Sequence, residues 1–175
     1  MNDKNLSLTQ VNTEQMTNLK RTILTMKQKA YIFDIDGVLS NPKHRIEHAV
    51  NKDWDKFHEL SIHDDAFHDI CKLCNHLNLD YEVIFITGRP EKFRDITLSW
   101  IKQYVFGNKN RQMRLNLMMR SDDDLRNSSE YKLSEYEKLK EDYVVIGVFE
   151  DNEHVVKMWR DQGLTCFALP SMYQE

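Results

Sequence analysis

Two aspartates one residue apart, Asp34 and Asp36, stand directly after the apolar run Tyr31-Ile32-Phe33 and directly before Gly37. The run reads as a buried strand, a costly place for unpaired charge, and two like charges side by side raise that cost. A positive partner at the strand's end resolves the conflict, most simply a metal ion. Further along, Thr87-Gly88-Arg89 follows the apolar run 82–86, Arg120 follows 115–119, and Glu150-Asp151 follows 143–149. Asp34, Asp36, Glu150 and Asp151 thus offer four acids. Hard oxygen ligands, with no histidine or cysteine in the pattern, favour magnesium. Arg89 and Lys132, with Arg45, Arg120 and Arg126, are the cations that could face them. Metal on one side and cations on the other suit a phosphoryl group, whose transition state spreads negative charge over three oxygens. Lys132 falls near the start of an expected helix, where the dipole disfavours a cation, which hints at a role beyond an ordinary surface lysine.

These residues need a frame that delivers them to one edge. Strands are expected at 30–33, 82–86, 115–119, 143–149 and 165–169. Helices are expected at 65–78, from Pro90 to about Val105, at 129–141 and at 153–162, the last stopped by Gly163. Strand–helix alternation implies an α/β fold with a parallel sheet of about five strands covered on both faces. Ligands of such sheets bind beyond the carboxyl ends of the strands, where the acids and arginines fall. Residues 1–25, rich in Asn, Gln, Thr and Lys, read as a mobile or loosely docked extension with a possible short helix from about Thr13, and 26–175 as one domain.

Composition narrows the function class. The chain has 175 residues, 41% of them hydrophobic and 30% charged, as in an ordinary soluble domain. It has no apolar run of membrane-crossing length and no secretory signal, so a cytoplasmic location without membrane association is expected. A net charge of −4 argues against broad, non-specific nucleic-acid binding. Yet residues 89–120 hold eight Lys/Arg, including Lys109, Arg111 and Arg114, and a local basic patch can hold a phosphorylated ligand. Cys71 and Cys74 spell C-x-x-C, but no second ligand pair stands at finger spacing. They read as small hydrophobes on the helix face with Ala66, Ile70, Leu73 and Leu77.

The series Asp34-Ile35-Asp36-Gly37-Val38-Leu39, Thr87-Gly88-Arg89, Lys132 and Glu150-Asp151 resembles the four motifs of the haloacid dehalogenase (HAD) superfamily, in order and at strand ends. The stretches 118–132 and 148–169 are similar to the phosphatase domain of bacteriophage polynucleotide kinase–phosphatases. Arg45, Arg120 and Arg126 stand where that family places its arginines. The resemblance implies a three-layer Rossmann-like core and a magnesium-dependent phosphatase. In it Asp34 is the nucleophile forming an aspartyl-phosphate, and Asp36 is the general acid and base. Thr87 and Lys132 hold the phosphoryl oxygens, and Gly37, Arg45, Gly88, Arg89, Arg120 and Arg126 serve the substrate. Magnesium is held by Asp34, the Asp36 carbonyl and Asp151, with Glu150 on a metal-bound water. Three departures stand out. Ser128 replaces an aspartate and reads as a helix cap, the acidic pair is Glu-Asp rather than Asp-Asp, and Asn152 replaces an arginine.

Neither gap that could carry a cap domain is long enough for one. Residues 41–64 suit only a small helical flap, with Trp54 and Phe57 as its packing residues rather than base-stacking platforms. An open site with a minimal cap admits bulky phosphoesters. Removal of a 3′-phosphate from nucleic-acid ends is the leading expectation, and a nucleotidase for free nucleoside monophosphates is the alternative. A non-catalytic binding protein that keeps the fold is the third reading. No G-x-x-x-x-G-K-[ST] run occurs, so no kinase half is expected in this sequence.

Overall fold

The computed structural model describes residues 27–107 and 115–171. The segment 1–25 and the basic residues Lys109, Arg111 and Arg114 lie outside the described residues. The chain runs β1 (Gln28–Phe33), β2 (Ser40–Asn41), α1 (Ile46–Val50), α2 (Trp54–Glu59), β3 (Asp65–Ala66), α3 (His68–Leu77), β4 (Glu82–Pro90), α4 (Arg94–Tyr104), β5 (Asn116–Arg120), α5 (Ser128–Leu139), β6 (Tyr143–Glu150), α6 (Glu153–Asp161) and β7 (Cys166–Ala168). Five strands form one parallel sheet in the order β5-β4-β1-β6-β7. The first two crossovers lead outward from β1 through β4 to β5. The chain then returns past β1 to β6, so the switch point lies between β1 and β6.

Both faces are covered, which is why the strands read as continuous apolar runs. Alternate residues serve opposite layers. Phe33, Val83, Phe85 and Leu117 pack with Cys71 and Cys74 of α3 and with Trp100 and Ile101 of α4. Ile32, Ile84, Ile86 and Val148 pack with Tyr131 and Leu139 of α5 and with Val155, Val156 and Trp159 of α6. The strands and helices expected within the described residues are all present with small shifts of boundary, and the possible helix from about Thr13 lies outside them. Cys71 and Cys74 are free and buried, as small hydrophobes should be. Leu73 departs from its expected place and is 40% exposed, because the inner face of α3 belongs to Ile70, Cys71, Cys74 and Leu77.

Two helix starts bear on the site. Asn152 caps α6, its side chain accepting from the amides of His154 and Val155. The cap of α5 is Asn127 and not Ser128: Asn127 Oδ1 accepts from Glu130 N at 3.0 Å, and Glu130 returns a bond to the Asn127 amide. That reciprocal pair needs a glutamate three residues on, which Ser128 lacks.

Residues 41–64 fold back on themselves, closed at the base by the antiparallel pairing of β2 with β3, Ser40 opposite Ala66 and Asn41 opposite Asp65. The result is the expected small flap. Phe57 is buried as expected, but Trp54 is not a packing residue in the same sense and stands about half exposed at the flap's rim. Among the described residues no helix is long and apolar enough to cross a membrane. Trp159 is completely buried between α5, α6 and the sheet, against Tyr136 at 5.8 Å. Trp159→Ala is expected to lower unfolding free energy by roughly 3–5 kcal/mol, measured by urea denaturation.

Candidate active site

Register fixes the site. Phe33 pairs with Phe149, which sets Asp34 level with Glu150, and Phe33 also pairs with Phe85, which puts Thr87 one residue further along. The Asp34 amide donates to the Phe149 carbonyl at 3.0 Å, so the end of β1 is pinned to β6 where the acids emerge. The chain then turns tightly. Leu39 and Ser40 amides both donate to the Ile35 carbonyl, and Gly37 adopts φ +83. A Cβ on Gly37 would stand 2.1 Å from Asp151 Oδ2, so a glycine is required for the Asp151 carboxylate to approach the turn.

Asp34, Glu150 and Asp151 bring one carboxylate oxygen each within 4.8 Å of one another, and all three residues are buried. Lys132 lies between two of them, its Nζ 2.7 Å from Glu150 Oε2 and 3.0 Å from Asp34 Oδ1. Burial would strip the lysine of its proton, but Asp34 and Glu150 hold it charged, above the usual lysine range. Burial lifts Asp34 well above the usual carboxylate range against the pull of Lys132, with Glu150 and Asp151 adding to the rise. Burial first and Glu150 second push Asp151 up to about 7, and its Oδ2 atom is buried with no hydrogen-bond partner. When all three are ionised, three carboxylates against one ammonium leave two negative charges without compensation, which, added to burial, is why two of them hold protons so tightly. An all-oxygen donor set with that deficit and an orphaned carboxylate oxygen fits a divalent ion such as magnesium.

Asp36 belongs to a second, separate cluster. Its Oδ1 accepts from Arg45 Nη2 at 2.5 Å and Arg89 Nη2 at 2.6 Å, and its Oδ2 from Arg89 Nε at 3.0 Å. Burial alone would raise the Asp36 pKa, but Arg89 and then Arg45 hold it well below the usual range. Both arginines are completely buried. They were expected on the substrate; in the structure their guanidinium groups are engaged with carboxylates. The other carboxylate is Asp64, at the foot of the flap. It takes Arg45 Nε at 2.7 Å, Arg45 Nη2 at 2.5 Å and Arg89 Nη2 at 3.5 Å, and lies 3.0 Å from His44 Nε2. Its carbonyl accepts from Trp100 Nε1 at 2.9 Å. Two carboxylates and two guanidinium groups close to zero net charge.

Asp64 was not singled out from the sequence. The only signal was the acidic pair in "HDD" next to a hydrophobic helix, and an exposed loop would look the same. The remaining expected residues fall into three groups. Thr87 is buried at the end of its apolar run, its Oγ1 accepting from the Arg89 amide at 3.3 Å. Arg120 comes close to Gly88 and bonds to neutral groups, the carbonyls of Asp124 and Arg126 and the Ser128 hydroxyl, with its guanidinium carbon 5.2 Å from the centre of the Tyr131 ring. Ser128 therefore meets Arg120 from inside the helix rather than capping it. Arg126 is exposed and its guanidinium is taken by Asp124, so it is not brought to the acids.

The profile of the polynucleotide kinase PNKP phosphatase domain matches residues 28–171, almost everything from β1 onward. The chain belongs to the PNKP phosphatase-domain family. It is a HAD-type phosphatase domain. A protein named as a bifunctional polynucleotide kinase/RNA ligase from Autographa californica nuclear polyhedrosis virus is 28% identical over 136 residues, covering 76% of this chain and 18% of that protein. In the solved Pnkp1/Rnl/Hen1 complex one chain aligns with a TM-score of 0.68 at 25% identity, over 84% of this chain and 47% of that one. The class C acid phosphatase from Bacillus anthracis shares the fold, with a TM-score of 0.58 at 16% identity over 93% of this chain and 75% of that one. The chain thus spans about half of its Pnkp1 relative and under a fifth of the viral one.

Each cluster gives a measurable expectation. Asp64→Ala leaves Arg45 and Arg89 buried with one carboxylate between them, and should cost about 3–5 kcal/mol of stability, read from the urea midpoint. For Asp151, the folded chain holds a proton between the ordinary carboxylate range and about pH 7 that the unfolded chain has released. Metal-free stability should therefore fall as pH rises through that window. Asp151→Asn should flatten this dependence, raise the metal-free melting temperature at pH 7 and remove the stabilisation by magnesium; calorimetry with and without the ion checks all three.

Proposed function

We propose that this domain is a magnesium-dependent phosphomonoesterase that removes 3′-phosphates from nucleic-acid ends through an aspartyl-phosphate intermediate. The observation that carries the reading is the Lys132 bridge between Asp34 and Glu150, beside Asp151, in a PNKP phosphatase domain. Magnesium held by Asp34, the Asp36 carbonyl and Asp151, with Glu150 reached through water, would draw negative charge off the phosphoryl oxygens. Lys132 and Thr87 hold those oxygens and orient the group for in-line attack, the bare backbone at Gly88 lets it come close, and Gly37 serves it by making room for Asp151. An Asp34 oxygen bonds to phosphorus while the bond from phosphorus to the sugar oxygen breaks.

Asp36 serves the leaving oxygen. While gripped by Arg45 and Arg89 it is an ionised acceptor. Turning toward the substrate costs it two cationic partners, which raises its proton affinity and lets it take a proton from solvent for the leaving sugar oxygen. In the second half it takes a proton from the water that attacks the phosphoenzyme, which frees phosphate and restores Asp34. Arg120, with neutral partners among the described residues, keeps its charge for the substrate's backbone. Arg126 would contribute only after leaving Asp124.

The viral relative's name and the Pnkp1 complex support a nucleic-acid end as substrate. The minimal flap supports one too, since an uncapped site accepts a large phosphoester. The expected outcome is magnesium-dependent release of phosphate from a 3′-phosphorylated oligonucleotide, lowered roughly 10³-fold or more by Asp34→Asn. Rapid release from mononucleotides with none from the oligonucleotide would overturn the substrate and leave a nucleotidase.

A further inference from the structure

Trp54 is the one tryptophan of the chain with access to solvent. Trp100 and Trp159 are completely buried, whereas Trp54 is 51% exposed at the start of α2. It is not loosely held. Asp53 caps the helix through the Lys56 amide at 3.3 Å, and Asp55 is tied to Lys92 Nζ at 2.7 Å, outside the flap. The indole meets Phe57 at 5.9 Å with an angle of 85° between the rings. In a perpendicular contact, whichever ring presents its edge, at least one indole face is left open by that neighbour.

Phe57 links this indole to the reacting groups. The Arg45 guanidinium carbon lies 4.0 Å from the Phe57 ring centre, Arg45 Nη1 donates to the Phe57 carbonyl at 3.1 Å, and Arg45 Nη2 grips Asp36 at 2.5 Å. Trp54 thus stands at the outer end of a packed series, Asp36–Arg45–Phe57–Trp54, whose two middle members are buried. Its successive contacts are 2.5, 4.0 and 5.9 Å, the span that a terminal nucleotide or its neighbour would have to bridge. Charged residues flank the indole on its own segment, Lys52, Asp53, Asp55 and Lys56. Val50, at the end of α1, is the other large apolar side chain that the flap exposes, and two such residues are too few for the centre of a protein interface, which needs a cluster of buried anchors. The open indole face suits one planar ring.

We infer that Trp54 is the stacking platform for a nucleobase at, or next to, the phosphorylated end of the substrate. This rests on the 3′-phosphatase reading and deepens it, because phosphate contacts alone accept any phosphoester whereas a stacked base favours a nucleic-acid end. Every base has a π-face, so the platform recognises a base without choosing among the four.

Two readouts test it. Trp100 and Trp159 emit as well, so the fluorescence change of the full Asp34→Asn chain is compared with that of Asp34→Asn carrying Trp54→Phe, and the difference reports on Trp54. A 3′-phosphorylated oligonucleotide should quench it, and inorganic phosphate should not. In kinetics, the wild type should show a KM roughly 5- to 100-fold higher for a 3′-phosphorylated oligonucleotide whose last two nucleosides are abasic than for the intact one. Trp54→Phe should keep much of that ratio and Trp54→Ala should erase it. Turnover of the intact oligonucleotide without quenching, or an abasic-to-intact ratio that is the same in wild type and Trp54→Ala, would overturn the platform. If the wild type turns over neither oligonucleotide, the 3′-phosphatase reading itself fails and takes the platform with it.

Discussion

Like charges crowded at the buried end of a sheet are the constraint around which the molecule is arranged. Parallel pairing of β1 with β6 forces Asp34 and Glu150 to emerge side by side, and the turn at Gly37 lets Asp151 close against them. No apolar core tolerates that concentration of charge unless cations answer it. Lys132 answers part of it from the opposite layer, which obliges α5 to start where it does. The Asn127–Glu130 cap then matters to the chemistry, because it fixes the first turn from which the lysine reaches inward.

The two clusters divide the charge differently, and the difference is informative. Around Asp36 the carboxylates of residues 36 and 64 are balanced by two guanidinium groups, a closed and neutral arrangement. Around Asp34 the lysine leaves a deficit of two. The first keeps Asp36 ionised while its two arginines grip it. The second is incomplete by itself, as expected of a site that receives a cation and an anionic substrate together. The low proton affinity of Asp36 and the high one of Asp34 follow from this unequal division, though the two aspartates are only two residues apart.

Much of this frame was legible from residue order. Strands buried on both faces leave unbroken apolar runs, and acids directly after such runs can lie only at the sheet's carboxyl edge, so Asp34, Glu150 and Asp151 were readable together. Asp64 was not. It meets Arg45 and Arg89 only because the flap folds back, and no local periodicity records a return of that kind. Arg45 and Arg89 were readable as cations near the site, but whether an arginine faces a substrate or a neighbouring carboxylate is decided by packing. Ser128 lost the cap position to its neighbour because a capping box depends on the partner three residues on. Trp54 and Phe57 sit three apart on a helix short enough that one is drawn under Arg45 while the other remains at the rim.

The β2–β3 pairing returns the flap to the sheet beside the point where it left. An excursion that departs and re-enters through one narrow gate can change length or content at its far end while the strands below keep their pairing. Lys52, in a left-handed turn with φ 59 and well away from that gate, marks the tip where such change is cheapest. Residues at that tip can therefore be exchanged while the sheet that carries Asp34, Glu150 and Asp151 stays as it is.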